Sequence, residues 1–166
     1  MALDLLPGTP VFVASGWVER AAAAAFMRTL EKPPYGLVIT HDWTGGAEGG
    51  TKADTAERDE AGIRAAKVLV AVMTHKTYEY KGTWFEIGYA LGRGLPVVLI
   101  SPFVRAEDAV TARNVYFHHK GLHRFSSVAT FLAALSGEGL WRSTPADETS
   151  SLANIRARYA ELAPRR

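Results

Sequence analysis

The chain has no cysteine, which excludes a disulfide framework and any thiolate-held zinc or iron–sulfur site. It has no long apolar run either. Its hydrophobic stretches are strand length, well short of the ~20 residues that a membrane helix requires. Charge of one sign is also missing: 19 Lys and Arg stand against 17 Asp and Glu, for a formal net charge of +2. The basic residues are scattered, so no nucleic-acid-binding face stands out. The start Met1-Ala2-Leu3-Asp4-Leu5-Leu6-Pro7 lacks a basic n-region, and no signal peptide is expected. The histidines are His41, His75, His118, His119 and His123, with no helical His-x-x-x-His beside a carboxylate. Neither a Gly-x-Ser-x-Gly elbow nor a P-loop is present. These absences predict a cytoplasmic protein with no metal site, no membrane span and no nucleic-acid-binding face.

What is present is an alternation of short β-rich runs with helical stretches. Pro10 to Ala14 reads as a buried strand ended by Ser15-Gly16, and the alanine-rich residues 18–31 read as a helix stopped by Pro33-Pro34. Tyr35 to Thr40 is a second strand, leading into His41-Asp42-Trp43 and then a loop from Thr44 to Thr51 rich in glycine. A helix over 52–66, a strand at Val68 to Met73, a helix near 83–93 stopped by Gly94, and a strand at Leu95 to Ile100 follow. Asn114 to Phe117 is the candidate fifth strand, and 127–135 a short amphipathic helix. Residues 150–162 form a terminal helix beyond a linker containing Pro145. The 166 residues suit one domain, taken as 1–140, with 141–166 packing on it or on a partner subunit.

Strands that are apolar throughout, each followed by a helix, predict a mostly parallel five-stranded sheet covered on both faces. The fold class is therefore α/β, a Rossmann- or flavodoxin-like three-layer sandwich. Ligands of such sheets bind beyond the carboxyl ends of the strands. That rule selects Ser15-Gly16-Trp17, His41-Asp42-Trp43 and the segment from His75 to Glu86.

Glu86 is expected in the first turn of its helix, among unpaired N–H groups and the positive end of the dipole, and hence ionised and nucleophilic. Gly82 lets a ligand approach the backbone. Thr83-x-x-Glu86 is equally the pattern of a capping box, in which Glu86 only returns to the N-cap amide. Asp59 adds a second carboxylate. It falls on the stripe of Ala56, Ile63 and Ala66, with Glu57, Arg58 and Glu60 on the other face. An acid on an apolar stripe needs a partner or a task, and a structural ion pair serves as well as catalysis. Two carboxylates meeting in one crevice suit glycosyl transfer, where one attacks the anomeric carbon and the other manages the leaving group's proton.

Asp59-Glu60-Ala61-Gly62-Ile63, the strand from Val68, and Gly82-Thr83-Trp84-Phe85-Glu86-Ile87-Gly88-Tyr89-Ala90-Leu91-Gly92-Arg93-Gly94-Leu95-Pro96-Val97 resemble the nucleoside 2-deoxyribosyltransferase family. The first strand, Val11 to Gly16, is similar too, and the resemblance spans roughly residues 10–102. It implies that Glu86 attacks C1′ of a deoxyribose to form a covalent glycosyl-enzyme, and that Asp59 contacts the base and its proton. It further implies a homodimer or larger homo-oligomer in which Asn114 reaches a neighbouring subunit's sugar site, although Asn114 equally reads as a strand-end turn residue. At one position the chain departs from the pattern: Tyr80 stands where the family often carries an aspartate that holds the sugar hydroxyls. Either the tyrosine offers its hydroxyl instead, or the loop 75–82 is rebuilt around a different sugar.

Other residues at the same edge have two readings each. Trp43 and Trp17 either stack on a base or cap the core. Asp42 either meets a base edge or closes a turn. The amides of Ser15-Gly16, with Arg20 one turn on, either bind phosphate or form an ordinary turn capped by Ser15. The sequence thus predicts N-glycosyl transfer on a nucleoside. Hydrolysis of a nucleoside monophosphate, a non-catalytic nucleotide-sensing module and glycohydrolysis of a dinucleotide are the competing readings.

Overall fold

The computed structural model describes residues 5–46, 51–103 and 113–136. The terminal helix expected at 150–162 and the loop residues 47–50 lie outside them. The elements run β1 (Pro10–Ser15), α1 (Arg20–Glu31), β2 (Val38–Ile39), α2 (Lys52–Ala65), β3 (Val68–Val72), α3 (Lys81–Gly92), β4 (Val97–Ile100), β5 (Leu122–Phe125) and α4 (Val128–Ser136). One-turn 3-10 helices at Trp17–Glu19 and Val115–His118 precede α1 and β5.

All five strands are parallel, in the order β2-β1-β3-β4-β5. The alternation of side chains along each strand builds two apolar layers. Phe12, Ala14, Leu69, Ala71 and Leu99 face one way, against Ile63 of α2 and Ile87 and Ala90 of α3. Val11, Val13, Val68, Val70, Val98 and Ile100 face the other, against Phe26, Met27 and Leu30 of α1 and Phe131 of α4. Each fully buried Val, Leu, Ile or Phe stabilises such a layer by roughly 1.5–3 kcal/mol. Continuous apolar strands follow from having both faces covered. Among the described residues no helix is long and apolar enough to cross a membrane.

The strand order reverses between β1 and β3, which makes their carboxyl ends the topological switch point. Ser15, the Trp17–Glu19 turn and the β3–α3 loop meet there. Gly94 ends α3 as expected: its φ of 74° accompanies bonds from Gly94 N to Leu91 O and from Leu95 N to Ala90 O, both 2.9 Å, a Schellman stop.

Four expectations need correction. The second strand shrinks to Val38–Ile39, because Gly36 turns at φ 58° and Leu37 N bonds back to Leu30 O. The segment from Asn114 is a 3-10 turn, not a strand. The Asn114 side chain accepts from Tyr116 N at 3.0 Å, and only Phe117 of that run is buried. The fifth strand is Leu122–Phe125, whose polar residues fit an edge position. The helix carrying Glu86 starts at Lys81, two residues before the expected bound, and this displacement changes the site.

Candidate active site

Because α3 begins at Lys81 with Tyr80 as its N-cap, Glu86 lies in the second turn, past the unpaired amides. No side chain caps this helix, so Thr83 and Glu86 form no capping box. The Thr83 hydroxyl is buried without a hydrogen-bond partner. A capping box does form at Thr51 and Asp54, at the start of α2.

Glu86 is then not the resting anion expected. Its Oε2 is buried and has no hydrogen-bond partner. Loss of water, and then the charge of Asp59, push its pKa up to about 8, so the free carboxyl holds its proton at neutral pH. The second carboxylate therefore acts on the first across the α2–α3 interface. Burial raises Asp59 above the ordinary carboxylate range, and His41 and Arg58 partly offset this. His41 Nε2 stands 3.4 Å from Asp59 Oδ1.

Gly62 explains why Asp59 reaches this place. A Cβ there would lie 2.7 Å from His41 Cβ and 3.0 Å from the Phe12 ring. Only a glycine lets α2 press onto β1 at this point, one turn after Asp59. The stripe itself is shorter than expected, since Ala56 is exposed. Glu60 is not a purely solvated acid either. It accepts from the Tyr89 hydroxyl of α3 at 2.9 Å and from Arg64 at 2.7 Å, tying the two helices beside the two carboxylates.

The remaining candidates fall into different roles. Trp43 donates through Nε1 to Val13 O at 2.7 Å and packs against both apolar layers. With β2 so short, this indole supplies the bond that a longer strand would give β1. Asp42 Oδ1 accepts from Thr44 N at 2.9 Å and its hydroxyl at 2.5 Å, which lowers its pKa and closes a turn. Trp17 is 52% exposed, with the Arg20 guanidinium 5.0 Å from its ring centre. Gly82 faces open space, whereas a Cβ at Gly16 would strike Tyr78 at 2.5 Å. Gly16 is thus needed for an aromatic ring. Asn114 caps its own turn.

Tyr80 does not offer its hydroxyl to a ligand. It is 1% exposed, and that hydroxyl donates to Glu19 Oε2 at 2.6 Å and accepts from His75 N at 2.8 Å. Buried against this acid, it is held far above the usual phenol range. Glu19, which the sequence did not single out, also accepts from Thr74 N at 3.0 Å and from the Thr74 hydroxyl. Ser15 Oγ lies 3.0 Å from its Oε2 and 2.9 Å from Val72 O. A carboxylate therefore occupies the turn where phosphate was considered. Glu19 is the residue that sequence reasoning missed, and His41, although in a loop selected at the sheet edge, had no role of its own assigned. Neither belongs to a motif, and both matter through partners distant in sequence. Among the described residues no group of three or more His, Cys, Asp or Glu side chains could hold a metal.

A doubly wound parallel sheet with two interacting acids on adjacent helices marks the class as an α/β protein with an acidic crevice site. Within that class, the model of the nucleoside 2-deoxyribosyltransferase family matches residues 11–123, and the chain belongs to that family of deoxyribosyl-transferring enzymes. The fold is similar to that of a 2-desoxiribosyltransferase from Leishmania mexicana, with a TM-score of 0.55 and 18% identity over 80% of this chain and 99% of that one. No curated protein matches the chain.

Proposed function

We propose that the protein transfers the sugar of a 2′-deoxynucleoside between nucleobases through a covalent intermediate on Glu86. The observation that carries this reading is the buried, unpartnered Oε2 of Glu86 in the field of Asp59. A structural acid would be paired. One that stays unpaired beside a second acid is poised for chemistry.

The pair holds one proton near neutral pH, and transfer needs one. When a nucleoside binds, the proton passes from Glu86 to Asp59, leaving an anionic nucleophile. A Glu86 oxygen attacks C1′, the C1′–N bond breaks with its electron pair going to the base, and Asp59 gives its proton to that base. In the second half, a nitrogen of the incoming base attacks C1′, the bond to Glu86 breaks, and the acceptor's proton returns to Asp59. Two displacements give net retention. No cofactor is needed, because the substrate supplies both electrophile and leaving group. His41 steadies Asp59 in its charged state.

Water in place of the second base gives hydrolysis, with the same residues. Glu19 at the Ser15-Gly16 turn supports a nucleoside over a nucleoside monophosphate, since a phosphate there would meet a carboxylate. A sensing module would have fitted an Asp59 turned to solvent and a Glu86 spent on a capping box. Exposed Phe85, Val115 and Tyr116, on elements joined by the Trp84–Phe117 ring contact, support a homo-oligomer, which light scattering would register.

The test is incubation with a deoxynucleoside, with and without a second free base. Exchange is expected in the wild type, with a deoxyribosyl adduct on the intact protein. Full exchange by Glu86→Ala would sink the assignment.

A further inference from the structure

Resting on Glu86 as nucleophile, we propose that Glu19 is a positioning residue of the reaction, acting through Tyr80 on the helix that carries Glu86. Glu19 stands on the turn after β1, yet its carboxylate collects donors from the loop after β3. Thr74 N, the Thr74 hydroxyl and the Tyr80 hydroxyl all point at it, and Ser15 Oγ joins from β1. It thus spans the switch point. Bonds to an ionised acceptor are about twice as strong as neutral ones, so this is a firm brace for an otherwise exposed loop.

Tyr80 is where that brace meets the helix. Its φ of 52° makes it the non-glycine residue with a left-handed backbone among those described, a conformation that is strained for a bulky residue. Such a residue persists only if its surroundings over-determine it. Here the hydroxyl is held by Glu19 and His75 N, and the ring lies edge-on to Tyr78 with centroids 4.9 Å apart. The Tyr80 carbonyl accepts from Trp84 N at 2.9 Å, the bond that opens α3. Glu86 follows within the second turn, so the direction in which α3 leaves Tyr80 sets where its carboxyl sits against Asp59. Glu19 makes no direct contact with Glu86. Its effect is geometric.

The test uses the full chain with Tyr80→Phe, which keeps the ring and removes the hydroxyl, and Glu19→Gln, which keeps the shape and removes the charge. Tyr80→Phe is expected to lower kcat about ten- to hundredfold, the scale of an ångström-sized misplacement, with KM within about twofold. The alkaline limb of kcat/KM should move, because the Glu86–Asp59 separation changes. Glu19→Gln should do the same to a smaller extent, and the double variant should fall no further than Tyr80→Phe, since the two act through one bond. An intact kcat in the folded variants overturns the proposal. So does a loss that follows only the folded fraction while the limb stays fixed. Should Tyr80→Phe fail to fold, Glu19→Gln carries the same readouts. Full activity in Glu86→Ala defeats the nucleophile assignment as well, whereas an inactive Glu86→Ala beside an unimpaired Tyr80→Phe defeats this inference alone.

Discussion

Two glutamates near the carboxyl edge of one sheet have opposite surroundings. Glu19 accepts from Thr74, Tyr80 and Ser15. Glu86 leaves a buried oxygen with no donor at all and carries a pKa pushed up to about 8. The first is satisfied and braces the loop. The second is deprived of water and lies in the field of another acid. The difference shows that an acid's role is read from its donors more than from its residue type or sheet position.

The sharpest way to break the comparison is Glu86→Gln. Removing the nucleophile should cost at least about a thousandfold in transfer, and an assay that finds less places Glu86 with Glu19 as a structural acid. Its stability effect should run the opposite way. Between the ordinary value of 4.5 and about 8, the unfolded chain has lost the Glu86 proton while the folded one keeps it. Folding is therefore progressively disfavoured as pH rises through that window. Glutamine imitates the protonated acid, so the variant should melt higher than the parent at pH 8 and alike at pH 4.5, as calorimetry at the two pH values would register.

Asp59→Asn comes next. It should lower kcat/KM by about 10²- to 10⁴-fold, the usual worth of a positioned acid–base group. It also removes the charge that raises Glu86, so the alkaline limb, expected near 8 in the parent, should shift to lower pH. An unmoved limb would separate the two acids.

Glu19→Ala tests the satisfied member of the pair. It strips the acceptor from the Tyr80 hydroxyl and Thr74 N, and should destabilise by roughly 2–3 kcal/mol in denaturant titration, the cost of stranded donors. A neutral result would mean that water or a rotated side chain replaces the brace. The smallest effect is expected from Thr51→Ala, which removes the capping box of α2 for about 1 kcal/mol and should leave kcat unchanged. It marks the loss of stability that turnover tolerates.

Much of this was legible in local sequence. The runs from Val11 and Val68 and the pair Val97-Val98 had to be buried strands, because no other element hides continuous apolar residues so briefly. Gly94 stopped its helix as glycine does. The stripe of α2 singled out Asp59, but why that helix sits so close emerges only in the packing: Gly62 seats it on Phe12 and His41. The strand expected from Asn114 failed because one buried Phe117 in a capped turn resembles an alternating strand, while the real edge strand is half polar. Glu19 could not be found, since its donors Thr74 and Tyr80 lie 55 to 61 residues away.

Sequence alone determined the parallel three-layer sheet and put Glu86 and Asp59 on the helices flanking β3, because burial periodicity and motif spacing are local properties. Tertiary structure alone decided their state. It started α3 at a left-handed Tyr80, and it gave that tyrosine's hydroxyl to Glu19 instead of a ligand. It also left Glu86 protonated and unpaired against Asp59. Those outcomes depend on which groups lose water together, and desolvation is a property of the packed site.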